Sequence, residues 1–355
     1  MDLALIGSAV ALGLIGVVMV YSATKAEYGH YYFSRQLVWV ALGIVIMVVV
    51  MLIDYRKYRQ FGYIIYGLVV ASLLGVFIVG KSAQGAQRWY QFGALQLQPS
   101  EFAALGLIIA LATFSSRRKG VLELREMIAI LVLGGGPMVL VYRQPDLGTT
   151  IILGVTLAAM LVAAGVRIRY LLLLTVLVIG GFFLAIHVHL LKEYQLQRLT
   201  SFLNQNQNTQ STNYDLAQSK SAISSGSLWG TGIFKGNATN LGYVPNQQTD
   251  FIFSAVGEQL GFIGSAVVIG LFGIISLRML RAAQIARDSF GRMVCAGALA
   301  FLAFSAFENI GMTIGIMPIT GIPLPFISYG GSASFAFFAT VGLVANVEMR
   351  RMARK

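Results

Sequence analysis

The sequence is poor in cysteine, histidine and charge, and each shortage excludes a class of protein. Its single cysteine, Cys295, lies in an apolar run, so no intramolecular disulfide can form and we expect a small buried residue. The three histidines show no Cys/His spacing typical of a zinc site. Charged residues make up 11% of the chain, against about 25% in ordinary soluble proteins. A soluble enzyme, a disordered scaffold and a disulfide-rich secreted module are therefore excluded.

Hydrophobic residues are abundant instead and fall into long runs. They make up 57% of the 355 residues, enough for roughly ten membrane spans of about 20 residues each. We therefore predict an all-α polytopic membrane protein, a single integral membrane domain over residues 1–355. The first run lacks a preceding basic segment and is too long for a signal peptide, so we expect a retained span. The predicted spans are 3–22, 36–53, 61–80, 100–115, 127–142, 147–165, 170–189, 251–277, 290–317 and 331–347.

Three of these runs are predicted to depart from straight helices. The fifth contains three glycines followed by Pro137, which predicts a break or a kink. The eighth and ninth are long enough to tilt, to kink or to extend beyond the bilayer.

The distribution of basic residues predicts the orientation. The net charge of +12 would also suit nucleic-acid binding, but Lys and Arg in cytoplasmic loops explain it better in a membrane protein. With both termini cytoplasmic, most of the 26 basic residues fall in cytoplasmic segments. We therefore expect a multi-pass protein with both ends in the cytoplasm and no nucleic-acid partner.

One large outer loop, 190–250, is predicted between the seventh and eighth spans. Its centre, 204–213, is polar and predicted to be mobile. The flank 219–234 mixes small, apolar and basic residues, which suits packing on the membrane surface.

Acidic residues at or near the spans are the most informative positions, because ionisable groups are costly there. For any single one, capping of a helix start is an equally good interpretation. As a set they lie on several spans and mostly face outward, which favours a site for an amphiphilic, anionic substrate at the outer leaflet. The acids are Glu101, Asp146, Asp250, Glu258 and Glu308, and basic residues on the same side include Arg88, Arg198 and Lys220.

Two further outer segments are unusual for simple connectors. Segment 85–102 places Arg88, Trp89 and Tyr90 before a Pro-Ser-Glu helix start, although the two rings also suit a membrane-interface belt. Segment 321–335 combines prolines and glycines, which predicts a rigid, non-helical connector. Such backbone is tolerated at membrane depth where it is buried or lines a cavity.

Five ordered motifs resemble those of a known family. They are GAQRW (85–89), QPSEF (98–102), QPDLGT (144–149), NQQTDFIFSAVGEQLGF (246–262) and NIGMTIGIMPITGIPLPFISYGGS (309–332). Together they make the chain similar to the SEDS proteins of bacterial shape, elongation, division and sporulation. The last motif looks more like the elongation branch, RodA, than the division branch, FtsW.

The resemblance implies a peptidoglycan glycosyltransferase that polymerises lipid II at the outer face of the bacterial cytoplasmic membrane. It also implies partnership with a class B penicillin-binding protein and the elongation machinery. The family's key acid carries over to Asp250, and its other motif residues carry over to Arg88, Glu101 and Asp146. Members often have a lysine three residues after this glutamate, where this chain has Ala104, so a Glu–Lys pair is missing.

We hypothesise that Asp250 is the general base that removes a proton from the attacking sugar hydroxyl, a contribution of about 10²–10⁴-fold. The helix dipole would lower its pKa and burial would raise it, and the sequence leaves this balance open. Cations would hold the leaving pyrophosphate. The candidates are Arg88, Arg198 and Lys220, with Gln248 and Thr249 as polar support, and a divalent cation, Mg²⁺ or Mn²⁺, as an alternative.

Two other functions stay open at this stage. A lipid II flippase would use intramembrane acids, and Glu258 and Glu308 are the best residues for that role or for further substrate contacts. Few ionisable groups continue to the cytoplasmic side, however. A scaffold that only recruits the penicillin-binding protein would leave the outer polar cluster without a task.

Overall fold

The apolar runs fold into helices because a membrane offers no water to satisfy backbone N–H and C=O groups. The computed structural model describes residues 2–83, 86–92, 95–118, 124–188 and 211–350, and the single positions 196, 198, 200 and 202. Three short strands in this part are β1 Lys81–Ala83, β2 Ala86–Phe92 and β3 Leu95–Leu97. Its twelve helices are α1 Leu3–Tyr28, α2 Tyr31–Leu52, α3 Tyr55–Val79, α4 Pro99–Ser116, α5 Leu124–Arg143, α6 Leu147–Ala163, α7 Ile168–His187, α8 Ser211–Ser225, α9 Asn237–Asn240, α10 Ile252–Ile285, α11 Ser289–Ile314 and α12 Gly331–Met349.

Each of the ten predicted spans coincides with one long helix. Among the described residues, eight helices are long and apolar enough to cross a membrane. The other two, α6 and α7, contain shorter apolar stretches, Leu147–Ala163 and Ile168–Gly181. The prediction of an all-α, multi-pass membrane protein is confirmed, and Cys295 is fully buried as expected.

Acidic residues start three helices at one end of the bundle. Asp2, Asp54 and Asp288 begin α1, α3 and α11, and each accepts hydrogen bonds from first-turn N–H groups at 2.9–3.1 Å. Each also pairs with an arginine, which joins these starts to other helices. The pairs are Asp2–Arg278, Asp54–Arg350 at 3.5 Å and Asp288–Arg59 at 3.6 Å. Because of these arginines we call this end of the bundle the basic end. Residues 2 and 350 both lie there, and its cytoplasmic location stays a prediction.

Of the break or kink predicted in the fifth run, the break is wrong, because α5 continues through Gly134 and Pro137, and the kink stays a prediction. Proline lacks the N–H that would bond the carbonyl four residues earlier, here that of Leu133. The hydroxyl of Tyr66 on α3 donates to this carbonyl at 2.6 Å. A neighbouring helix therefore satisfies the group that proline leaves free.

The eighth run does kink, at Gly261, where φ is 65° and the backbone leaves the helical region. The carbonyls of Glu258 and Gln259 are freed by the kink. They accept hydrogen bonds from Thr231 N at 2.9 Å and Gly232 N at 3.1 Å. The outer loop thus satisfies irregular backbone inside a span.

The described part of the outer loop packs on the bundle. Its helix α8 lies against α10 and α11, and Ser219 Oγ donates to Thr313 O at 2.9 Å. Most of the centre predicted to be mobile, 204–210, lies outside the described residues. Leu228 and Trp229 in the later flank are exposed, so packing of this flank on a membrane surface stays a prediction.

The connector between α11 and α12 is non-helical, as predicted, and enters the bundle. Ile322, Leu324 and Ile327 on it are buried. It approaches α1 so closely that a Cβ on Gly16 would lie 2.7 Å from Ile327 Cα. Glycine at position 16 therefore allows the connector to reach the middle of α1.

The three strands form a small antiparallel sheet that was not predicted from the sequence. Strand β2 pairs with both β1 and β3, and Tyr90 faces Leu97 in the register. The Tyr90 hydroxyl donates to Ser72 O at 2.9 Å, which ties the sheet to α3. Because α4 follows directly, the sheet fixes where that helix starts.

Candidate active site

Asp250 lies in a turn immediately before α10, at the end of the bundle opposite the basic end. The N-cap of α10 is Phe251, so the carboxylate of Asp250 is not the cap. Its backbone is held on both sides: its N–H donates to Asn246 O at 3.2 Å, and its carbonyl accepts from Asn309 Nδ2 at 2.8 Å. Capping, the alternative interpretation of this acid, therefore does not account for it.

The side chain of Asp250 faces Arg198 across Gly321. Gly321 has a φ of +75°, a conformation that favours glycine. A Cβ at this position would lie 3.3 Å from Asp250 Oδ2 and 3.9 Å from Arg198 Nη1. The missing side chain keeps the approach to both charged groups open.

Burial raises the pKa of Asp250 above its ordinary value of 3.8, while Arg198 and a hydrogen bond with Thr249 act in the opposite direction. The negative charge of Asp146 adds to the rise, and Arg88 opposes it. Burial thus outweighs the groups that lower the pKa of Asp250, and the pKa is raised. A raised pKa strengthens the carboxylate as a base.

Asp146 is buried and joins the starts of two helices. Its Oδ1 accepts from Thr149 N at 3.1 Å and so caps α6, as the capping interpretation expected. Its Oδ2 accepts from Gln98 Nε2 at 3.3 Å and from Ser100 Oγ at 3.4 Å, at the start of α4. Asp146 therefore fixes α4 against α6 beside the site.

Glu101 lies in the first turn of α4 and is half-buried. Asp146 and Asp250 are close enough to repel its negative charge. Ala104, where the family often has lysine, is buried in the apolar core. The three carboxylates thus come from three separate segments and approach one another without that lysine.

Arg88 on β2 is half-buried and spans the turn before α6. Its Nε donates to Gln144 O at 2.7 Å and its Nη2 donates to Pro145 O. This turn carries Asp146 as its next residue. Arg88 therefore positions the acidic turn and adds positive charge to the site.

Gln248 and Thr249 are held by the connector between α11 and α12. Tyr329 N donates to Gln248 O at 2.9 Å, and Ser328 Oγ donates to Thr249 O at 2.6 Å. Their backbones are therefore part of the scaffold around Asp250, and their half-buried side chains remain next to it.

Glu308 and Asn309, adjacent on α11, hold the other side of the connector. Thr320 Oγ1 donates to Glu308 Oε1 at 2.9 Å, and Asn309 Nδ2 donates to Ile322 O at 2.7 Å as well as to Asp250 O. Glu308 is buried, and its Oε2 has no hydrogen-bond partner among the described residues. These contacts hold Thr320 and Ile322, the residues on either side of Gly321, in place.

Glu258 has a structural role. One carboxylate oxygen accepts from Ala238 N at 2.8 Å, and the other accepts from Thr239 N at 2.9 Å and from Thr239 Oγ1 at 2.5 Å. The side chain is buried under the outer loop. Both oxygens are occupied by this loop, so Glu258 anchors the loop, and a substrate contact by this residue stays a prediction.

Lys220 lies half-buried on α8. On the same helix, burial raises the pKa of Asp215, and Arg198 opposes the rise. Arg198 therefore lies within electrostatic reach of both Asp215 and Asp250. Asp215 was not singled out from the sequence, because it lies in a polar loop segment.

No three His, Cys, Asp or Glu side chains in the described part of the chain converge closely enough to hold a metal ion. Glu101, Asp146 and Asp250 are thus close enough to affect one another electrostatically, but they do not form a set of metal ligands. Taken together, the site offers one basic carboxylate, two arginines and a glycine, Gly321, between Asp250 and Arg198.

A family model for cell cycle proteins of the FtsW, RodA and SpoVE type matches residues 2–353. The chain belongs to this family, the SEDS proteins. The match extends over nearly the whole chain, so it includes every motif quoted above.

Two curated SEDS relatives align over almost their full lengths. The probable peptidoglycan glycosyltransferase FtsW of Geobacter metallireducens is 36% identical, with 98% of this chain and 95% of the relative covered. The peptidoglycan glycosyltransferase MrdB of Escherichia coli K12 is 34% identical, with 96% and 91% covered. The relatives therefore agree on the activity class and do not distinguish division from elongation.

Solved structures of SEDS proteins share the fold. A chain from a study of polymerization and crosslinking by a peptidoglycan synthase complex superposes with a TM-score of 0.83 at 28% identity, covering 99% of each chain. An aspartate-to-alanine mutant of Thermus thermophilus RodA gives a TM-score of 0.75 at 27% identity, also covering 99% of each chain. The SEDS fold is thus confirmed.

Several residues of the site were missed by reasoning from sequence. Asn309 and Ser328 hold the backbone at 249–250, and Gln98 and Ser100 bind Asp146. All four lie inside the motifs that carry the family resemblance, so the motifs held the signal. Their polar character alone gave no indication of which distant groups they would bind.

Proposed function

We propose that this SEDS protein polymerises lipid II into glycan strands, with Asp250 as the general base. As a member of this family, the chain is a peptidoglycan glycosyltransferase. The observation that carries the mechanism is the Asp250 carboxylate, which is free of helix capping, has a raised pKa and faces Arg198 over Gly321.

In the proposed reaction the 4-hydroxyl oxygen of an acceptor N-acetylglucosamine attacks the anomeric carbon of the donor. The new glycosidic bond forms as the bond to the lipid pyrophosphate breaks, and the hydroxyl proton passes to Asp250. The electron pair leaves with the pyrophosphate. Because the donor is α-linked, one displacement with inversion gives the β-linkage without a second carboxylate nucleophile.

The pyrophosphate needs positive charge as it leaves. Arg198, which faces Asp250 across Gly321, is the first candidate, and Arg88 adds charge from the turn before α6. Lys220 is a further candidate on α8. Gln248, Thr249, Glu101, Asp146 and Glu308 shape the surrounding site. A divalent cation at the pyrophosphate stays a prediction, and no step above depends on it.

We propose the elongation role, in rod-shape maintenance, for this chain. The sequence TGIPLPFISYGG at 320–331, with its preceding NIGM, supports this branch. The 36% identity to a probable FtsW favours the division role as the second candidate. Rod shape restored in a bacterium depleted of its own elongation protein would support the first, and restored septation alone would support the second.

We further propose that the Asp250 end faces outward from the cytoplasmic membrane and that a class B penicillin-binding protein is the partner. The position of the basic end opposite Asp250 supports this orientation. The similar fold in a peptidoglycan synthase complex supports a partner that crosslinks the strands.

The test is glycan polymerisation from purified lipid II by wild type and Asp250→Ala, each with and without a transpeptidase-inactive penicillin-binding protein. Glu27→Gln is the control, because Glu27 is an exposed acid at the same end of the bundle. We expect polymer from wild type and the control and none from Asp250→Ala, with unchanged thermal unfolding. Undiminished polymer from Asp250→Ala would remove this residue from the mechanism.

The same preparations in liposomes test the flippase alternative. If no sample makes polymer while lipid II crosses the bilayer, the transport function replaces the one proposed. Among the described residues, the two acids suited to such a path, Glu258 and Glu308, instead bond the outer loop and the connector.

A further inference from the structure

A recess at the basic end is lined by three arginines. Its volume is about 560 Å³, and it lies between the start of α3 and the end of α4. It is about 24 Å along α4 from Glu101 and so is separate from the candidate active site. The lining residues are Arg56, Arg59 and Gln60 from α3 and Ser116 and Arg117 from α4.

The positive charge of this recess is only partly neutralised. Arg59 lies 3.6 Å from Asp288, in a partly exposed pair that water screens. The guanidinium of Arg117 lies over the ring of Tyr63 at 5.2 Å, which orients it without cancelling its charge. No ion pair in the described part of the chain joins Arg56 or Arg117 to a carboxylate.

An apolar stripe leads from the recess along α3. Positions 56, 60, 64 and 68 are four residues apart and therefore lie on one face of the helix. Arg56 and Gln60 line the recess, whereas Ile64 and Leu68 are 61% and 67% exposed toward the surroundings of the bundle. Positive charge at the start of α3 matches the phosphate headgroup of a phospholipid. The exposed aliphatic side chains further along the helix match its acyl chains.

We propose that this recess binds the phosphodiester headgroup of an anionic phospholipid, with its acyl chains along Ile64 and Leu68. Guanidinium groups match phosphate oxygens in charge and in the geometry of their paired N–H donors. Basic recesses between membrane helices are suited to such headgroups. Free phosphate shares the charge but gains nothing from the apolar stripe, so the stripe favours the lipid.

The test is lipid binding to the purified protein in detergent, measured by native mass spectrometry and by thermal unfolding. Phosphatidylglycerol, phosphatidylcholine and inorganic phosphate are the three probes. We expect retention of phosphatidylglycerol over phosphatidylcholine, together with a rise in unfolding temperature as the lipid is titrated, because a ligand of the folded state stabilises it. Inorganic phosphate should give neither effect at equal concentration.

The double variant Arg56→Gln/Arg117→Gln should bind phosphatidylglycerol about tenfold more weakly or worse. Arg281→Gln, an exposed arginine at the same end on α10, should bind like wild type. Polymer synthesis by the double variant checks that it is folded. Equal phosphatidylglycerol binding by wild type and the double variant would overturn the site, and equal stabilisation by inorganic phosphate would overturn the lipid as its ligand.

Discussion

The two ends of the bundle use the same residue type in opposite ways. At the basic end, burial acts to raise the pKa of Asp2, but hydrogen bonds from Arg278 and from first-turn N–H groups outweigh it, and the pKa is lowered. At the other end, burial raises the pKa of Asp250, and its charged neighbour Arg198 only opposes the rise. Asp2 fixes helices through a carboxylate whose charged form is stabilised, whereas the raised pKa of Asp250 suits proton transfer.

The largest expected difference is between Asp250→Asn and Asp2→Asn. The first should lower polymerisation by about 10²–10⁴-fold, because the amide cannot accept the hydroxyl proton, and should leave folding intact. The second should keep the rate and lose about 1–3 kcal/mol of stability, because the pair with Arg278 is lost. Lipid II polymerisation and thermal unfolding of both variants check this. Similar rate losses in the two would show that the ends do not differ in function.

Two asparagines offer a second contrast. Asn309 donates to Asp250 O and Ile322 O, and Asn346 donates in the same way to Val50 O and Ile53 O near the basic end. Alanine at either position should cost about 1–3 kcal/mol of stability, because buried carbonyls lose their donor.

Of these two variants, only Asn309→Ala should also lower kcat, by about tenfold to a hundredfold, because the backbone of Asp250 is then held less firmly. Steady-state kinetics at matched stability separate the two effects. An equal loss of kcat in Asn346→Ala would mean that Asn309 acts only through folding.

A smaller effect is expected at glycine positions with a left-handed backbone. Gly321 and Gly165 have φ values of +75° and +77°, so alanine at either should cost about 1–2 kcal/mol. A Cβ at 165 meets nothing within 4 Å, whereas one at 321 narrows the space between Asp250 and Arg198. Gly321→Ala should therefore raise KM severalfold and Gly165→Ala should not. The substrate dependence of the rate measures this, and a KM unchanged by Gly321→Ala would contradict an approach over that face.

The subtlest difference is in pH dependence. Asp250 must be ionised to act as a base, so activity should fall as the pH drops through its raised pKa, above the range of an ordinary aspartate. The same group favours the folded state below its unfolded pKa and loses this contribution as the pH rises through its folded pKa. Asp2, with a lowered pKa, stabilises above its unfolded pKa and loses that contribution as the pH falls through its folded pKa.

Rate profiles of wild type and unfolding profiles of wild type and Asp2→Asn, both against pH, check these opposite signs. If the rate fell only in the pH range where an ordinary aspartate is protonated, this would contradict a raised pKa for Asp250. Matching unfolding profiles for wild type and Asp2→Asn would contradict the stabilising pair at the basic end.

The sequence predicted what depends on local pattern. The ten apolar runs predicted ten helices, and the motif at 246–262 indicated Asp250. The break at Pro137 was wrong because a side chain from another helix, Tyr66, satisfies the exposed carbonyl. The clamp by Asn309 and the anchoring by Glu258 depend in the same way on partners distant in sequence. A pattern read along one chain shows which residues are polar and does not show which distant backbone they will bind.

The kink at Gly261 has a consequence for how the protein is made. The residues that satisfy its freed carbonyls, Thr231 and Gly232, precede it in the chain by about thirty positions. During synthesis they leave the ribosome first, so the partners of the bent segment exist before the bend does. A circular permutation that placed Thr231 and Gly232 after α10 would reverse this order. The helix would then enter the lipid with unsatisfied carbonyls, and its insertion should depend more on chaperones or insertases.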